Sequence, residues 1–156
     1  MSILLRIEAL LADAPHQRLV HDPISTARDA AEIRGTPLAI GGKSLVMKGD
    51  GVFSVFVISA ARSVQGRRVR HQLGIRRLRF ATRDELLSLT GLTPGCVPPL
   101  GRPIFDLPLY VDQSIVDNAQ IAFSAGSHTT SIIMKVPDYL AIARPDAVFS
   151  FASPTD

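Results

Sequence analysis

Residues 44–59, SLVMKGDGVFSVFVIS, contain two runs of β-forming residues around a glycine-rich turn. The runs cover residues 44–48 and 52–59, and Gly49, Asp50 and Gly51 separate them. An Asp-Gly pair between such runs supplies the positive φ angles that a tight hairpin turn requires. These residues therefore predict a β-hairpin, around which the rest of the fold can be arranged.

Helices and strands alternate on both sides of this hairpin. Ser25 or Thr26 can cap a helix that ends at Gly35, Thr82 begins a capping box, and Asp138 can cap a last helix. Apolar spacing also predicts helices over residues 2–14 and 64–73, and strands over residues 17–20, 77–80, 107–111, 121–124, 131–136 and 147–151. The pattern predicts a single α+β domain over residues 1–156, with a mixed β-sheet flanked by helices.

The composition is that of a compact protein with one core. The chain has 156 residues, of which 46% are hydrophobic, and no apolar run approaches the ~20 residues of a membrane span. The apolar stretch at the start of the sequence is too short, and too acidic at its end, for a secretory signal. A cytoplasmic location is therefore expected. A single cysteine, Cys96, excludes an internal disulfide and a thiolate zinc cage.

Positive charge is concentrated in one part of the chain. No acidic residue occurs between Asp50 and Asp84, a segment that is rich in arginine. The planar guanidinium fork suits phosphate, which favours a nucleic-acid backbone as the partner. The alternative is a solvated helix face whose arginines pair with acids from elsewhere. Only Phe80 is an aromatic residue near these arginines, so contacts to phosphates are favoured over base stacking. The arginines are Arg62, Arg67, Arg68, Arg70, Arg76, Arg77 and Arg79.

Three segments between these elements carry residues suited to chemistry. In the first, Gly41 and Gly42 leave room for a ligand in front of Lys43, at the start of the hairpin. An ammonium group there could bind a phosphate, a carbonyl oxygen or a developing oxyanion. Strand alternation places Ser44 on the opposite face. The glycine spacing does not fit a Walker A loop, and a surface lysine at a strand edge is the alternative.

The second segment is residues 91–101, GLTPGCVPPLG. Gly95 can take a positive φ and leaves room for a ligand, whereas Pro98 and Pro99 restrict φ and have no N–H. The pattern predicts a stiff loop that could hold an oxyanion or a ribose edge. A simple turn between two strands is the alternative.

The third segment is residues 125–131, AGSHTTS. His128 is the titratable group best suited to chemistry near neutral pH, where it could position a water, bind a ribose hydroxyl or act as a base. A hydrogen-bonded loop histidine is the alternative. A catalytic triad through Ser127 is disfavoured, because neighbours on an extended backbone point to opposite faces. Cys96 with His128 as its base is conceivable, although no neighbouring residue marks Cys96 as a stabilised thiolate.

The order of these segments resembles the YbaK/ProX family of free-standing aminoacyl-tRNA deacylases. That family is related to the editing domain inserted in bacterial prolyl-tRNA synthetases. The resemblance rests on GGKSLVMK, FVISAAR, LGIRRLRFATRDELLSLTGLTPGCVPPLG and AGSHTTSI, and it runs from about residue 25 to residue 151. It implies a mixed-sheet α+β domain that hydrolyses the ester between a wrong amino acid and the terminal adenosine of a tRNA.

The resemblance also implies roles for particular residues. The family's lysine matches Lys43, its G-x-x-x-P loop matches Gly95 and Pro99, and its late loop contains His128. The implied catalytic residues are Lys43, Gly95 and His128. The expected substrate-binding residues are Ser44, Pro99, Gly126 and Ser127. The charge pattern, in a stretch where relatives often have an acid and lysines, makes Arg67, Arg68, Arg70 and Arg76 the expected contacts to tRNA phosphates.

The implied reaction uses no metal, cofactor or covalent nucleophile, because an aminoacyl ester is already activated. The implied partner is the acceptor end of a tRNA, and a synthetase partner stays open. Ser44 stands where some members that clear alanine have asparagine, so alanyl-, cysteinyl-, seryl- and threonyl-tRNA all remain candidate substrates. A non-catalytic tRNA- or nucleotide-binding protein of the same fold is one alternative. A thiol hydrolase that depends on Cys96 is another.

Overall fold

The computed structural model describes residues 2–154 of the chain. Within this range the strands are β1 (His16–Val20), β2 (Gly42–Gly49), β3 (Val52–Ser59), β4 (Leu78–Phe80), β5 (Leu109–Asp112), β6 (Gln120–Ser124), β7 (Thr130–Lys135) and β8 (Ala147–Phe149). The helices are α1 (Ile3–Leu11), α2 (Ala27–Arg34), α3 (Gly66–Leu73), α4 (Arg83–Thr90), α5 (Arg102–Phe105), α6 (Gln113–Val116) and α7 (Val136–Ala143). A 3₁₀ turn spans Leu38–Ile40.

The strands form two sheets. One has the order β4-β2-β3-β5-β8, with antiparallel pairing from β4 to β3 and parallel pairing from β3 to β8. The other is antiparallel, with the order β1-β7-β6. An isolated parallel bridge between Gly41 and Ala122 connects the two sheets. The prediction of an α+β fold with a mixed sheet is therefore confirmed. The sequence pattern did not predict that the strands divide into two sheets.

The hairpin of β2 and β3 forms as predicted. Asp50 and Gly51 both have positive φ, 46° and 88°, as a two-residue turn between twisted strands requires. The Asp50 carboxylate also accepts hydrogen bonds from the backbone N–H groups of Arg76 and Arg77. These bonds favour the ionised carboxylate and lower the pKa of Asp50. The tip of the hairpin is thereby attached to the segment that leads into β4.

The predicted caps of α2 and α4 are confirmed. Thr26 Oγ1 accepts a hydrogen bond from Asp29 N at 3.0 Å, and Gly35 ends α2 in the left-handed region. At α4, Thr82 and Glu85 form the reciprocal capping box. These caps satisfy N–H groups that have no partner within the helix.

The cap of the last helix is predicted wrongly. Helix α7 begins at Val136, with Lys135 at the capping position and Pro137 in the first turn. Pro137 fits there because the first N–H groups of a helix have no partner within it. Asp138 lies one residue further on, inside the first turn, where its charge favours the positive end of the helix dipole.

We expect Thr82→Ala to lower the free energy of unfolding by about 1 kcal/mol, because Glu85 N loses its acceptor at 3.1 Å. Ser88→Ala is the matched control, since Ser88 is exposed on the same helix and should change stability by less than about 0.5 kcal/mol. Urea denaturation of both variants measures the difference. Equal losses would show that the cap does not stabilise α4.

The five-stranded sheet separates two hydrophobic clusters. Val46 and Val55 belong to the larger cluster, whereas Met47 and Phe56 pack with Val69 of α3 in the smaller one. Strand alternation produces this division, because successive side chains point to opposite faces. Helix α3 therefore covers the face of the sheet opposite to Val46. Within residues 2–154, the helices are too short or too polar to cross a lipid bilayer.

Candidate active site

A cavity of about 440 Å³ lies beside the start of β2. Its walls come from α2 and the segment before it, the first half of β2, the end of β4, the loop residues Pro94, Gly95 and Val97, and the end of β6 with His128. Lys43, Ser44, Gly95 and His128 all line it. The fold thus brings together residues from all three segments that the sequence singled out. No aspartate or glutamate is among the described residues that line the cavity.

The two glycines before Lys43 are explained by packing within the protein. A Cβ at Gly42 would lie 2.7 Å from Ile121 Cδ1, and one at Gly41 would lie 2.9 Å from Ala60 Cβ. Real Cβ atoms do not approach other atoms so closely. Both glycines also line the cavity, so the expectation that they leave room for a ligand stays a prediction. They allow the start of β2 to approach its protein neighbours closely.

Lys43 is held by the loop that follows β3. Its ammonium donates a hydrogen bond to the Arg62 carbonyl oxygen at 2.9 Å. This contact uses one of the three N–H groups of the ammonium. Partial burial lowers the pKa of Lys43, because desolvation disfavours the charged form. The side chain is thus a positioned cation with donors left for a ligand.

Ser44 lies on the opposite strand face from Lys43, as alternation predicts. Its Oγ is buried and has no hydrogen-bond partner in the described part of the chain. A buried hydroxyl without a hydrogen-bond partner destabilises the protein. A ligand with a complementary group would remove this cost. Ser44 lines the cavity, but its Oγ is closed off from solvent, so a ligand could reach this hydroxyl only if the cavity wall moved.

Gly95 brings its loop into contact with His128. Cys96 N donates to Thr93 O, and Pro94 followed by Gly95 with φ 88° is the pattern of a type II turn. A Cβ at Gly95 would lie 3.0 Å from His128 Cε1. The imidazole of His128 therefore packs directly on the turn. The Gly95 N–H has no acceptor among residues 2–154 and is available to a ligand.

Main-chain hydrogen bonds position the His128 loop. Gly126 N donates to Cys96 O, and Ile24 N donates to the His128 carbonyl, both at 3.0 Å. These bonds tie the loop to the turn of Gly95 and to the segment before α2. The half-buried imidazole makes no side-chain hydrogen bond in the described range, so both ring nitrogens are free to meet a substrate or a water.

Other candidate residues support the site from outside the cavity. Pro99 is buried, and its carbonyl accepts a hydrogen bond from Tyr139 Oη at 2.6 Å, which anchors the loop to α7. Gly126 packs against Ile3, where a Cβ would meet Cγ2 at 3.0 Å. Ser127 Oγ bonds Thr129. None of Pro99, Gly126 or Ser127 lines the cavity.

Cys96 is placed unfavourably for a nucleophile. The residue is 5% exposed, and its sulfur lies 3.6 Å from Thr93 Oγ1. It is not among the residues that line the cavity, although its neighbours Gly95 and Val97 are. A thiol that attacks a substrate must be accessible and ionised. The geometry thus gives no support to a hydrolase that depends on Cys96.

None of the seven arginines of the arginine-rich stretch lines the cavity. Arg67 and Arg68 are exposed on α3, where they border a shallow groove with Phe149, and α3 packs on the opposite face of the sheet. Arg70 is partly exposed and Arg76 is exposed. Arg79 forms an ion pair with Glu85 at 2.7 Å, and this contact lowers the pKa of Glu85 to about 2. Arg79 therefore pairs with an acidic residue of the protein, which was the alternative to phosphate binding.

Arg34 is a cavity residue that the sequence analysis missed. Its Nε donates to Ser131 Oγ at 2.9 Å, and its Nη2 donates to Ser124 Oγ at 3.3 Å. Burial lowers the pKa of Arg34 to about 10. The sequence contains a pattern that could have singled out Arg34. Positions 27, 30, 31 and 34 share one helix face, and all of them except Arg34 are alanine.

Comparison with known proteins agrees with the geometry. Residues 21–142 match the model of the aminoacyl-tRNA editing domain. The chain is similar to the multifunctional Ser/Thr-tRNA deacylase ProXp-y of Escherichia coli K12, with 33% identity over 92% of this chain and 89% of that protein. It is also 33% identical, over 64% of its length, to 17% of a proline–tRNA ligase from Shouchella clausii.

A solved structure supports the fold independently. The crystal structure of a protein described as a trans-editing enzyme for prolyl-tRNA synthetase superposes with a TM-score of 0.84, over 99% of both chains, at 22% sequence identity. At that identity the superposition shows the fold alone. The family model, the full-length relative and the cavity together lead to one conclusion: this chain belongs to the family of aminoacyl-tRNA editing domains.

Proposed function

We propose that the protein is a trans-acting aminoacyl-tRNA deacylase that clears tRNA charged with a wrong small amino acid. Its class is that of an aminoacyl-tRNA hydrolase, as its family membership indicates. The observation that carries the proposal is the cavity that Lys43, Gly95 and His128 line together, with no carboxylate among the lining residues of the described range. The substrates proposed are seryl- and threonyl-tRNA first, by analogy with the relative in Escherichia coli, and alanyl- and cysteinyl-tRNA second.

The cavity dimensions support a small amino acid next to a nucleoside. A volume of about 440 Å³ lies in the range of small-molecule sites, so it can hold a nucleoside together with a small amino acid. Selection by size alone is limited, since one methylene in an apolar pocket is worth about 1–3 kcal/mol. If the cavity wall moved, the unpaired Ser44 hydroxyl could offer a hydrogen bond to a side-chain hydroxyl of serine or threonine.

The reaction requires a nucleophile to attack the ester, and it requires the negative charge that develops on the carbonyl oxygen to be stabilised. A water oxygen attacks the ester carbonyl carbon, negative charge develops on the carbonyl oxygen, the bond to the ribose oxygen breaks, and that oxygen takes a proton. The free Gly95 N–H and the Lys43 ammonium are donors suited to the developing oxyanion. His128, with its ring nitrogens unused, orients the water or the neighbouring ribose hydroxyl.

The test is deacylation of a panel of tRNAs charged with serine, threonine, alanine, cysteine and proline. We expect turnover of at least one small-residue tRNA and none of prolyl-tRNA, with Cys96→Ser as active as the wild type. A protein that binds these tRNAs without turnover would be a non-catalytic binder instead. Loss of turnover in Cys96→Ser, with the fold intact, would favour the thiol mechanism.

Transfer RNA also needs a contact surface outside the cavity, and the exposed arginines of α3 are proposed for its phosphates. We expect the double variant Arg67→Gln/Arg68→Gln to bind tRNA more weakly and to reduce the slope of log K against log salt by about one to two units. The control is Arg28→Gln/Arg83→Gln, which removes the same charge from exposed sites on α2 and α4. Equal slopes for the two double variants would remove α3 from the tRNA interface.

This function places the protein where charged tRNA occurs, so we propose a cytoplasmic location and contact with the acceptor end. Its similarity to part of a proline–tRNA ligase suggests that a synthetase can be a further partner. Co-sedimentation with prolyl-tRNA synthetase, in the presence and absence of tRNA, tests this association.

A further inference from the structure

Arg34 is a cation without a counter-charge among the residues that the structure describes. It is largely buried, it lines the cavity, and its two hydrogen bonds go to the neutral hydroxyls of Ser131 and Ser124. Within residues 2–154, no carboxylate lies within ion-pair distance of its guanidinium. A charge removed from water without a partner is costly, so a cation in such a place calls for an anionic ligand.

The two serines hold the guanidinium in a defined orientation. Ser124 and Ser131 face each other across β6 and β7, and they occupy Nε and one N–H of Nη2. His21 Nδ1 bonds a backbone carbonyl and therefore carries a proton, so in the neutral ring Nε2 accepts from the Ser131 hydroxyl. Ser131 Oγ is thus free to accept from Arg34. Of the five guanidinium N–H groups, three remain without a protein partner.

The substrate of the proposed reaction limits what this anion can be. The carboxyl group of the amino acid is esterified, and its amino group is neutral or positive. The only anions near the ester are the phosphodiesters of the RNA. A planar fork of N–H donors matches the oxygens of a phosphate. Accepting the proposed function, we propose that Arg34 binds the 5′-phosphate of the terminal nucleotide through its unused N–H groups.

This assignment separates the tasks of the two cavity cations. Lys43 could serve either the terminal phosphate or the ester. With the phosphate bound by Arg34 on the α2 side, the Lys43 ammonium on the β2 side is left for the ester carbonyl. Arg34 would then bind substrate and reaction product alike, because both carry the same terminal phosphate.

The test compares adenosine with adenosine 5′-monophosphate as ligands of the intact protein, measured by titration calorimetry or NMR. We expect the wild type to bind the monophosphate about tenfold more tightly than adenosine. Arg34→Gln, which keeps a donor for Ser131 but removes the charge, should reduce this preference to less than about twofold. Arg28→Gln, on the exposed side of the same helix, should leave it unchanged.

Several outcomes would overturn the assignment. It fails if the wild type shows no preference for the monophosphate, if Arg34→Gln retains the preference, or if only Lys43→Gln abolishes it. If Arg34→Gln does not fold, the ¹⁵N resonances of the Arg34 guanidinium in the wild type decide: they should shift with the monophosphate and not with adenosine. The binding assay involves no turnover, so an inactive protein that retains the preference would refute the deacylase proposal and leave the anion site standing.

Discussion

Lys43→Ala should lower the rate of deacylation of mischarged tRNA by about a hundredfold or more, which is the usual effect of removing one donor to a developing oxyanion. The expectation follows from a side chain that is positioned by the Arg62 carbonyl and lines the cavity. Lys48→Ala removes a lysine from the other end of β2 and should leave the rate within about twofold. Single-turnover deacylation of the best panel substrate gives both rates.

The pH profile provides a second measurement of the same role. A lysine is charged below its pKa, and burial lowers the pKa of Lys43, so its charge is lost at a lower pH than that of an exposed lysine. The rate should therefore gain a descending limb as the pH rises. Lys43→Arg should lack this limb, because arginine stays charged. Wild-type rates in Lys43→Ala would show that this ammonium takes no part in the reaction.

Local sequence rules predicted the elements whose cause is local. The hairpin turn depends on the positive φ angles of Asp50 and Gly51, and the start of α4 depends on Thr82 and Glu85. Each of these features is decided by residues that are neighbours in sequence. They could be predicted because the stabilising hydrogen bonds close within a few residues.

Features with distant causes were missed. The division into two sheets is decided by pairing between residues such as Gly41 and Ala122, which no local pattern reveals. Gly42 is small because Ile121 packs against it, and Arg34 reaches serines on β6 and β7. The resemblance named Lys43, Gly95, His128 and Pro99 together. The structure places the first three around one cavity and Pro99 outside it, whereas their roles in catalysis stay a prediction.

The contact between Gly95 and His128 leads to the second large expected effect. Gly95→Ala should reduce the deacylation rate by about tenfold, because its Cβ would press on the imidazole at 3.0 Å and shift the ring by a few tenths of an ångström. This shift is a fraction of the misplacement of about 1 Å that can cost a factor of about a hundred. The substitution should also cost about 1–2 kcal/mol of stability, since φ is 88° at this position.

Gly91→Ala is the control that separates the loss of stability from the displacement of His128. Gly91 also has a positive φ, 74°, but a Cβ there would meet no atom within 4 Å. The Gly91→Ala variant should therefore lose about as much stability in thermal denaturation as Gly95→Ala, and it should keep the wild-type deacylation rate. Adding Gly95→Ala to His128→Ala should lower the rate little further, because the displaced ring is already absent. Additive losses in that double variant would mean that Gly95 acts through its own N–H and not through the position of His128.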